Sequence, residues 1–481
     1  MVRMSKKSLP LIEVTLDRII GGGQAIGTLE NGKKALLWGG LPGETVIAQV
    51  TKKKSNYIEG YITEVVKASP QRITPVDPDS YLSTSPWQIM DFAAESHYKA
   101  ALIEEAFELH DIVLPEAITV WSDGVEYGYR NKVEFSFWYD TERETLDLAF
   151  FRRGTHGKIT VQGTSLASDA INTGGRRVLD ALRQLNIDGR TLKTLLIRSN
   201  RVGQTAWQLY VKNEDFDADT FLKTVDLTGV VCAEVIFSNP KSPASVITSR
   251  LASTSSDSLS DTILDVPFTY ATEGFFQINL PVYEQALKDM HKWVDRGELL
   301  SSSLLEGDVP ARASRAPQAE QSSPVERPLR KEGAGGGERD STPVVDLYSG
   351  VGTIGLTIGG DNVTLVEVNE HAVREMQQNI KKLGKSGAKA VLAASENALD
   401  YISGDATIIV DPPRAGLHER VIAKLLETAP QRIIYLSCNP VTQARDVALL
   451  AEKYGIRHHQ GYNFFPRTPH IEHLVVLEKI I

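Results

Sequence analysis

Residues 343–358 read Pro-Val-Val-Asp-Leu-Tyr-Ser-Gly-Val-Gly-Thr-Ile-Gly-Leu-Thr-Ile. An apolar run ends in an acid, glycines follow, and apolar residues then return over 352–358. This is the pattern of a strand, a tight turn and a helix. The alternation continues outward. Residues 363–368, 390–394, 406–410 and 433–437 read as strands, 371–383 and 420–428 as helices, and 474–479 as a last strand. Strands alternating with helices predict an α/β fold with a doubly wound, mainly parallel sheet of the Rossmann type.

The chain has 481 residues and 42% hydrophobic content, enough for several cored domains. No run of about 18 apolar residues occurs, so no membrane span is expected. The first residues precede no long apolar stretch, and a soluble, cytoplasmic protein is expected. Two cysteines, Cys232 and Cys438, exclude a disulfide framework and any site needing four cysteines of one chain. Net charge is −9, yet residues 1–75 carry 11 Lys+Arg and 6 Asp+Glu, 11 − 6 giving +5. Lys52-Lys53-Lys54 lies in that segment. A local basic patch can hold phosphates although the whole chain is acidic.

Upstream of the alternating half, short strands at 11–16, 34–38, 45–50 and 57–65 are separated by glycine turns, predicting a small closed barrel of the OB type. Such barrels often bind looped or single-stranded nucleic acid. Trp38 and Tyr57 could stack on bases or simply pack. A helix is expected at 92–110, then strands at 133–138, 146–151, 194–197, 206–211 and 230–237 in a central α/β region. Residues 301–342 lack any aromatic residue or isoleucine and are expected to be a disordered insertion; 252–261 reads as a shorter loop of that kind. The expected division is 1–70 barrel, 71–270 central RNA-binding domain, and 271–300 with 343–481 as the cofactor-binding domain.

In doubly wound sheets ligands sit at the carboxyl ends of the strands. Asp346 ends one strand, and Gly350, Gly352 and Gly355 follow it. Glu367 ends the next, where an acid meets ribose hydroxyls in nucleotide sites. The glycines also complete the dinucleotide fingerprint, so they alone do not exclude NAD. An acid ahead of them suits a cationic methionine moiety better than a pyrophosphate, which favours S-adenosylmethionine. Asp411-Pro412-Pro413-Arg414 ends a further strand in a stiff turn, placing Asp411 toward cofactor or substrate.

Cys438 follows the apolar strand 433–437 and so stands at the edge where chemistry is expected, whereas Cys232 lies inside an apolar strand and reads as core. Glu472 lies beside His470 some thirty residues later. Uracil C5 is a poor nucleophile. A thiolate added at C6 makes C5 an enolate-like carbon that accepts a methyl group, and a base must then remove the C5 proton. One cysteine and one base are the minimal set. Glu472 is the favoured base, with His470 and His473 as competitors. The target base must be flipped out or lie in a loop.

Taken together, Tyr129-Arg130-Asn131-Lys132, Phe275-Phe276-Gln277-Ile278-Asn279, Asp346–Gly352, Asp411–Arg414, Ser437–Pro440 and Thr468–Glu472 resemble the RNA uracil-5-methyltransferase family, which acts on tRNA or 23S rRNA. The resemblance runs over most of the chain and implies a TRAM-like barrel at 8–68. It implies Cys438 as nucleophile and Glu472 as proton-abstracting base. It also implies Gln277, Tyr348, Glu367 and Asp411 as S-adenosylmethionine contacts, with Thr353 and Asn397 as further ones. Many members hold an iron–sulfur cluster with four cysteines; here Val76, Leu82, Ser85 and Thr164 stand at those places, and neither a cluster nor another metal is expected. The barrel favours 23S rRNA over tRNA by analogy. Trp87 and the basic barrel are expected to help position RNA, and a monomer is expected. A cytosine-5 methyltransferase shares the thiolate logic, and a non-catalytic RNA-binding or ribosome-assembly factor is the non-enzymatic alternative.

Overall fold

The computed structural model describes residues 10–153, 157–294 and 342–480. The expected insertion at 301–342 falls, but for Thr342, outside the described residues. Five strands, β1 (Leu11–Ile19), β2 (Ala25–Thr28), β3 (Lys34–Trp38), β4 (Thr45–Lys53) and β5 (Tyr57–Lys67), close a barrel in the order β1-β2-β3-β5-β4. Val14, Leu16, Leu37, Val46 and Val50 fill it, each from an alternating inward position. The short β2, unread in the sequence, completes the closure.

A connecting segment follows, with a single turn α1 (Tyr81–Thr84), the helix α2 (Phe92–Glu108) and the short strand β6 (Val120–Trp121). Asp91 caps α2 by accepting from the Ala94 amide. The central sheet has the order β13-β12-β11-β10-β7-β8-β9, built from β7 (Lys132–Asp140), β8 (Thr145–Phe151), β9 (Lys158–Val161), β10 (Leu192–Ser199), β11 (Thr205–Val211), β12 (Val230–Phe237) and β13 (Ser249–Ser253). Helices α3 (Asp169–Gln184) and α4 (Ala218–Thr224) cover it around Phe135, Leu179, Trp207 and Phe221. The stretch read as a loop at 252–261 is irregular only over 254–258: residues 252–253 end β13, and 259–261 start a hairpin of β14 (Leu259–Ile263) with β15 (Val266–Tyr270). Leu259, Asp261 and Ile263 alternate inward, and the Asp261 carboxylate is satisfied by the Tyr270 hydroxyl at 2.6 Å.

After α5 (Leu280–Val294), the second half supplies β16 (Val344–Leu347), α6 (Thr353–Ile358), β17 (Val363–Glu367), α7 (Glu370–Leu383), β18 (Lys389–Leu392), β19 (Thr407–Val410), α8 (Glu419–Thr428), β20 (Arg432–Ser437), α9 (Pro440–Leu450), β21 (Tyr454–Tyr462) and β22 (Glu472–Lys479). The sheet order is β18-β17-β16-β19-β20-β22-β21-β6. Strands β16 to β20 are parallel, and β22 runs antiparallel to β20. Helices α5, α6 and α7 contribute to one core, and α2, α8 and α9 to the core on the other face. The chain order reverses between β16 and β19, so their connections diverge and open a crevice at the carboxyl edge. The segment 71–270 is not wholly separate from this half: β6 pairs with β21, and Ile103 and Phe107 of α2 pack on the sheet. Among the described residues no helix is long and apolar enough to cross a membrane.

Candidate active site

The crevice is a cleft of about 1330 Å³. That exceeds the roughly 300–1,000 Å³ of a single small-molecule site, so it can hold two ligands side by side. One wall comes from strand ends. Tyr348 and Gly350 follow β16, Glu367 ends β17, Ala394–Glu396 follow β18, and Asp411–Arg414 follow β19. Both Glu367 oxygens accept backbone N–H groups, from Gly350 at 2.9 Å and Asn369 at 2.7 Å, which fixes the carboxylate. Gly355 lies where a Cβ would meet Leu365 Cδ2 at 2.3 Å, so only glycine lets α6 pack this closely on β17.

Asp346 does not line this wall. It is fully buried beneath the glycine loop, one oxygen accepting from the Gly355 amide at 2.9 Å and the other without a partner. Burial, opposed by that bond and reinforced by Asp411 and Glu367, pushes its carboxyl up to about 8. Thr353 and Asn397 also stand away from the cleft lining. The Thr353 hydroxyl bonds the Tyr283 hydroxyl at 2.8 Å, and the Asn397 carbonyl faces Arg420. Ser395 and Glu396 take the place in the wall that the sequence reading gave Asn397. Gln277 lines the opposite wall beside Phe275, which is 70% exposed there, and the Gln277 carbonyl accepts from Asn131 Nδ2 at 2.8 Å.

The floor brings Cys438, Glu472, Asp411, Arg414 and His470 together. The β20–β22 register pairs Ser437 with His473. The residues next to this pair, Cys438 and Glu472, both line the cleft, near enough for the Glu472 charge to act on the thiol. Asn439 accepts from the Val441 amide, with Pro440 beginning α9, so Cys438 is held at a strand-to-helix junction. Burial, then Glu472 and Asp411, push the Cys438 thiol up to about 11, while Arg414 beside it pulls the other way. Burial and the neighbouring Asp411 push Glu472 well above the carboxylate range. His470 Nδ1 lies 3.0 Å from Arg414 Nη2; its ring is open to the cleft, and partial desolvation by the cleft walls, then Arg414 and other cations, hold its imidazole down to about 4. His473 is remote in function: it is fully buried, bonds Gln443 and His459, and does not line the cleft. That removes it as a competing base.

Other expectations meet different surroundings. Trp87 is 2% exposed and donates its indole N–H to the Gly23 carbonyl, so its ring is unavailable to RNA. Trp38 carries the Arg153 guanidinium on its face at 4.1 Å. Cys232 is buried and donates to the Ser255 carbonyl. Around Ser85 and Thr164, Asp77 accepts from Gln88 Nε2 and the Ser165 hydroxyl, and Gln88 Nε2 also reaches Ser85, tying the two stretches. Arg414, Arg130 and Phe275 were not assigned roles from the sequence; only the fold turns them into one cleft.

Residues 399–480 match the tRNA (uracil-5-)-methyltransferase family. A protein of Enterococcus faecalis named "uncharacterized RNA methyltransferase" is 26% identical over 464 residues, 92% of this chain and 91% of that one. One of Nitratidesulfovibrio vulgaris with the same name is 26% identical over 481 residues, 97% and 95% of the two chains. The crystal structure of Pyrococcus abyssi tRNA (uracil-54, C5)-methyltransferase in complex with S-adenosyl-L-homocysteine aligns with TM-score 0.70 and 19% identity, covering 97% of this chain and 100% of that one. The sheet and its cleft have the fold of the S-adenosylmethionine-dependent methyltransferases. Within that class the chain is similar to the tRNA (uracil-5-)-methyltransferase family over residues 399–480, and over nearly its whole length to relatives named as RNA methyltransferases.

Proposed function

We propose that the chain methylates uracil C5 in RNA, with Cys438 as nucleophile and Glu472 as the base that removes the C5 proton. The carrying observation is that the adjacent ends of β20 and β22 bring these two side chains into one cleft, where the Glu472 charge acts on the Cys438 thiol. The cleft's residues suit S-adenosylmethionine. The fixed Glu367 carboxylate can accept from ribose hydroxyls, and Gly350 leaves open space above its Cα. Tyr348, Gln277 and Asp411 line the same volume. When bound, S-adenosylmethionine supplies the methyl group as an electrophilic sulfonium carbon.

The chain's own residues do the rest. Burial raises the basicity of Glu472, which suits it to take the C5 proton, while the Cys438 thiol loses its own proton to solvent before the sulfur adds. Arg414 stabilises the thiolate that results. The sulfur adds to uracil C6, the C5=C6 electron pair moves to C5, and C5 takes the methyl carbon as that carbon's bond to the sulfonium sulfur breaks, the pair leaving on sulfur as the neutral thioether S-adenosylhomocysteine. Glu472 then removes the C5 proton, the pair re-forms C5=C6, and the C6–S bond breaks to release thiolate. Neutral His470 holds Arg414 through Nδ1 without competing for that proton.

The RNA is proposed to be 23S rRNA, on the barrel's analogy. tRNA is the rival, supported by the family match at 399–480 and by the name of the Pyrococcus abyssi enzyme, whose alignment covers 97% of this chain. RNA containing 5-fluorouridine tests the chemistry, because fluorine at C5 cannot leave as a proton. The wild type should form a stable protein–RNA adduct and Cys438→Ala none; an adduct in the variant would refute the assignment.

A further inference from the structure

The segment that carries His470 and Glu472 into the cleft is held carbonyl by carbonyl. The Phe464 carbonyl accepts from Asn279 Nδ2 at 3.3 Å, and Phe465 from Lys99 Nζ at 3.0 Å. Pro466 accepts from the Tyr129 hydroxyl at 3.0 Å, and Arg467 from the Trp87 amide at 3.2 Å. Four consecutive carbonyls are thus bonded by four different parts of the chain. Arg467 is left-handed, φ 65°, an unfavourable conformation for a side-chain-bearing residue. Its amide donates to both oxygens of the fully buried Glu95, which also pairs with the fully buried Lys99 at 2.9 Å. A strained turn held by buried charge keeps one geometry.

The barrel closes this frame. Gly23, in the turn between β1 and β2, is buried, and its carbonyl accepts the Trp87 indole N–H at 3.1 Å. A Cβ at Gly23 would lie 2.1 Å from Pro469 Cβ, so the barrel touches the residue next to His470. We propose that Gly23 and Trp87 are positioning residues for methyl transfer: the barrel, besides any contact with RNA, sets the loop that delivers Glu472. This rests on Glu472 acting as the base.

The turn contains its own control. Gly22 and Gly23 have φ of 90° and 91°, so alanine is equally strained at either, but nothing lies within 4 Å of a Cβ at Gly22. Gly23→Ala should lower kcat about 10- to 100-fold, the scale of a misplaced reacting group, with KM for RNA nearly unchanged. In the free full-length protein it should also speed hydrogen exchange at the amides of 467–472. Gly22→Ala should stay within about twofold in both readings, as surface changes do. Trp87→Phe keeps the ring but loses the bond to Gly23 and should reproduce the exchange change in milder form, which keeps the test decisive if Gly23→Ala folds poorly. Equal behaviour of the two alanine variants, or a change in KM alone, would overturn the proposal. A wild type that makes no 5-methyluridine would sink the assignment of Glu472, while the exchange comparison would still report whether the barrel sets the loop.

Discussion

Replacing Asp346 by asparagine should make the empty protein more stable at neutral pH and not at acid pH. The carboxyl is fully buried, with a folded value near 8 against an ordinary 3.8. Between those values the folded state binds one more proton than the unfolded state. Stability therefore falls as pH rises through the window, by about 1.4 kcal/mol per unit. At pH 7 the wild type carries a penalty on the order of 4 kcal/mol, and at pH 5 one of about 1.6 kcal/mol, by the same slope. Asparagine abolishes the titration, and its carbonyl can still accept from the Gly355 amide. Its NH2 takes the place of the oxygen that has no partner, which costs roughly 1–3 kcal/mol. The net gain at pH 7 is about 2 kcal/mol, or roughly 5 °C in Tm for a domain of this size. At pH 5 the two effects cancel. Thermal unfolding of both proteins without cofactor, at pH 5 and pH 7, reads this directly. A variant less stable than wild type at pH 7, or a difference independent of pH, would refute the reasoning.

Four further outcomes follow from the floor of the cleft. Cys438→Ala should lower methyl transfer by at least about 10³-fold, as loss of a nucleophile does, with cofactor affinity unchanged by calorimetry. Glu472→Gln should add the thiolate and transfer methyl but stall before elimination, so that a methylated protein–RNA adduct accumulates on denaturing gels; free product at the wild-type rate would contradict its role. With the thiol near 11 and His470 near 4, kcat/KM should rise with pH from 6 to 9 with no inflection from an imidazole. Arg414→Gln removes the cation beside the sulfur and should depress the rate most at the low end of that range.

The parallel core of the second half was readable because strands buried on both faces are continuous apolar runs. The reading of 433–437 differs from β20 only at Arg432, and that of 363–368 overruns β17 by one residue. β21 was missed because Tyr-Gly-Ile-Arg-His-His-Gln-Gly-Tyr mixes charged and polar groups at an edge that only β6, from a distant segment, completes. β2 was missed because four residues between glycine turns carry too little pattern. The pair Cys438 and Glu472 could be named as chemistry, but their placement in one cleft depends on β22 reversing beside β20. Asp346 was read as facing a ligand, whereas the turn of α6 brings the Gly355 amide over it and buries it. The fate of His473 was equally hidden, since Gln443, its partner, lies thirty residues away on α9. Trp87 gave no sign that the Gly23 carbonyl would claim its indole.

Methyl transfer from labelled S-adenosylmethionine to separate pools of unmodified 23S rRNA and tRNA, followed by nucleoside analysis, tests the central claim most directly. Label in 5-methyluridine from one pool is the predicted result, and the pool identifies the substrate. Label in 5-methylcytidine, or no label in either pool while RNA still binds, would contradict it.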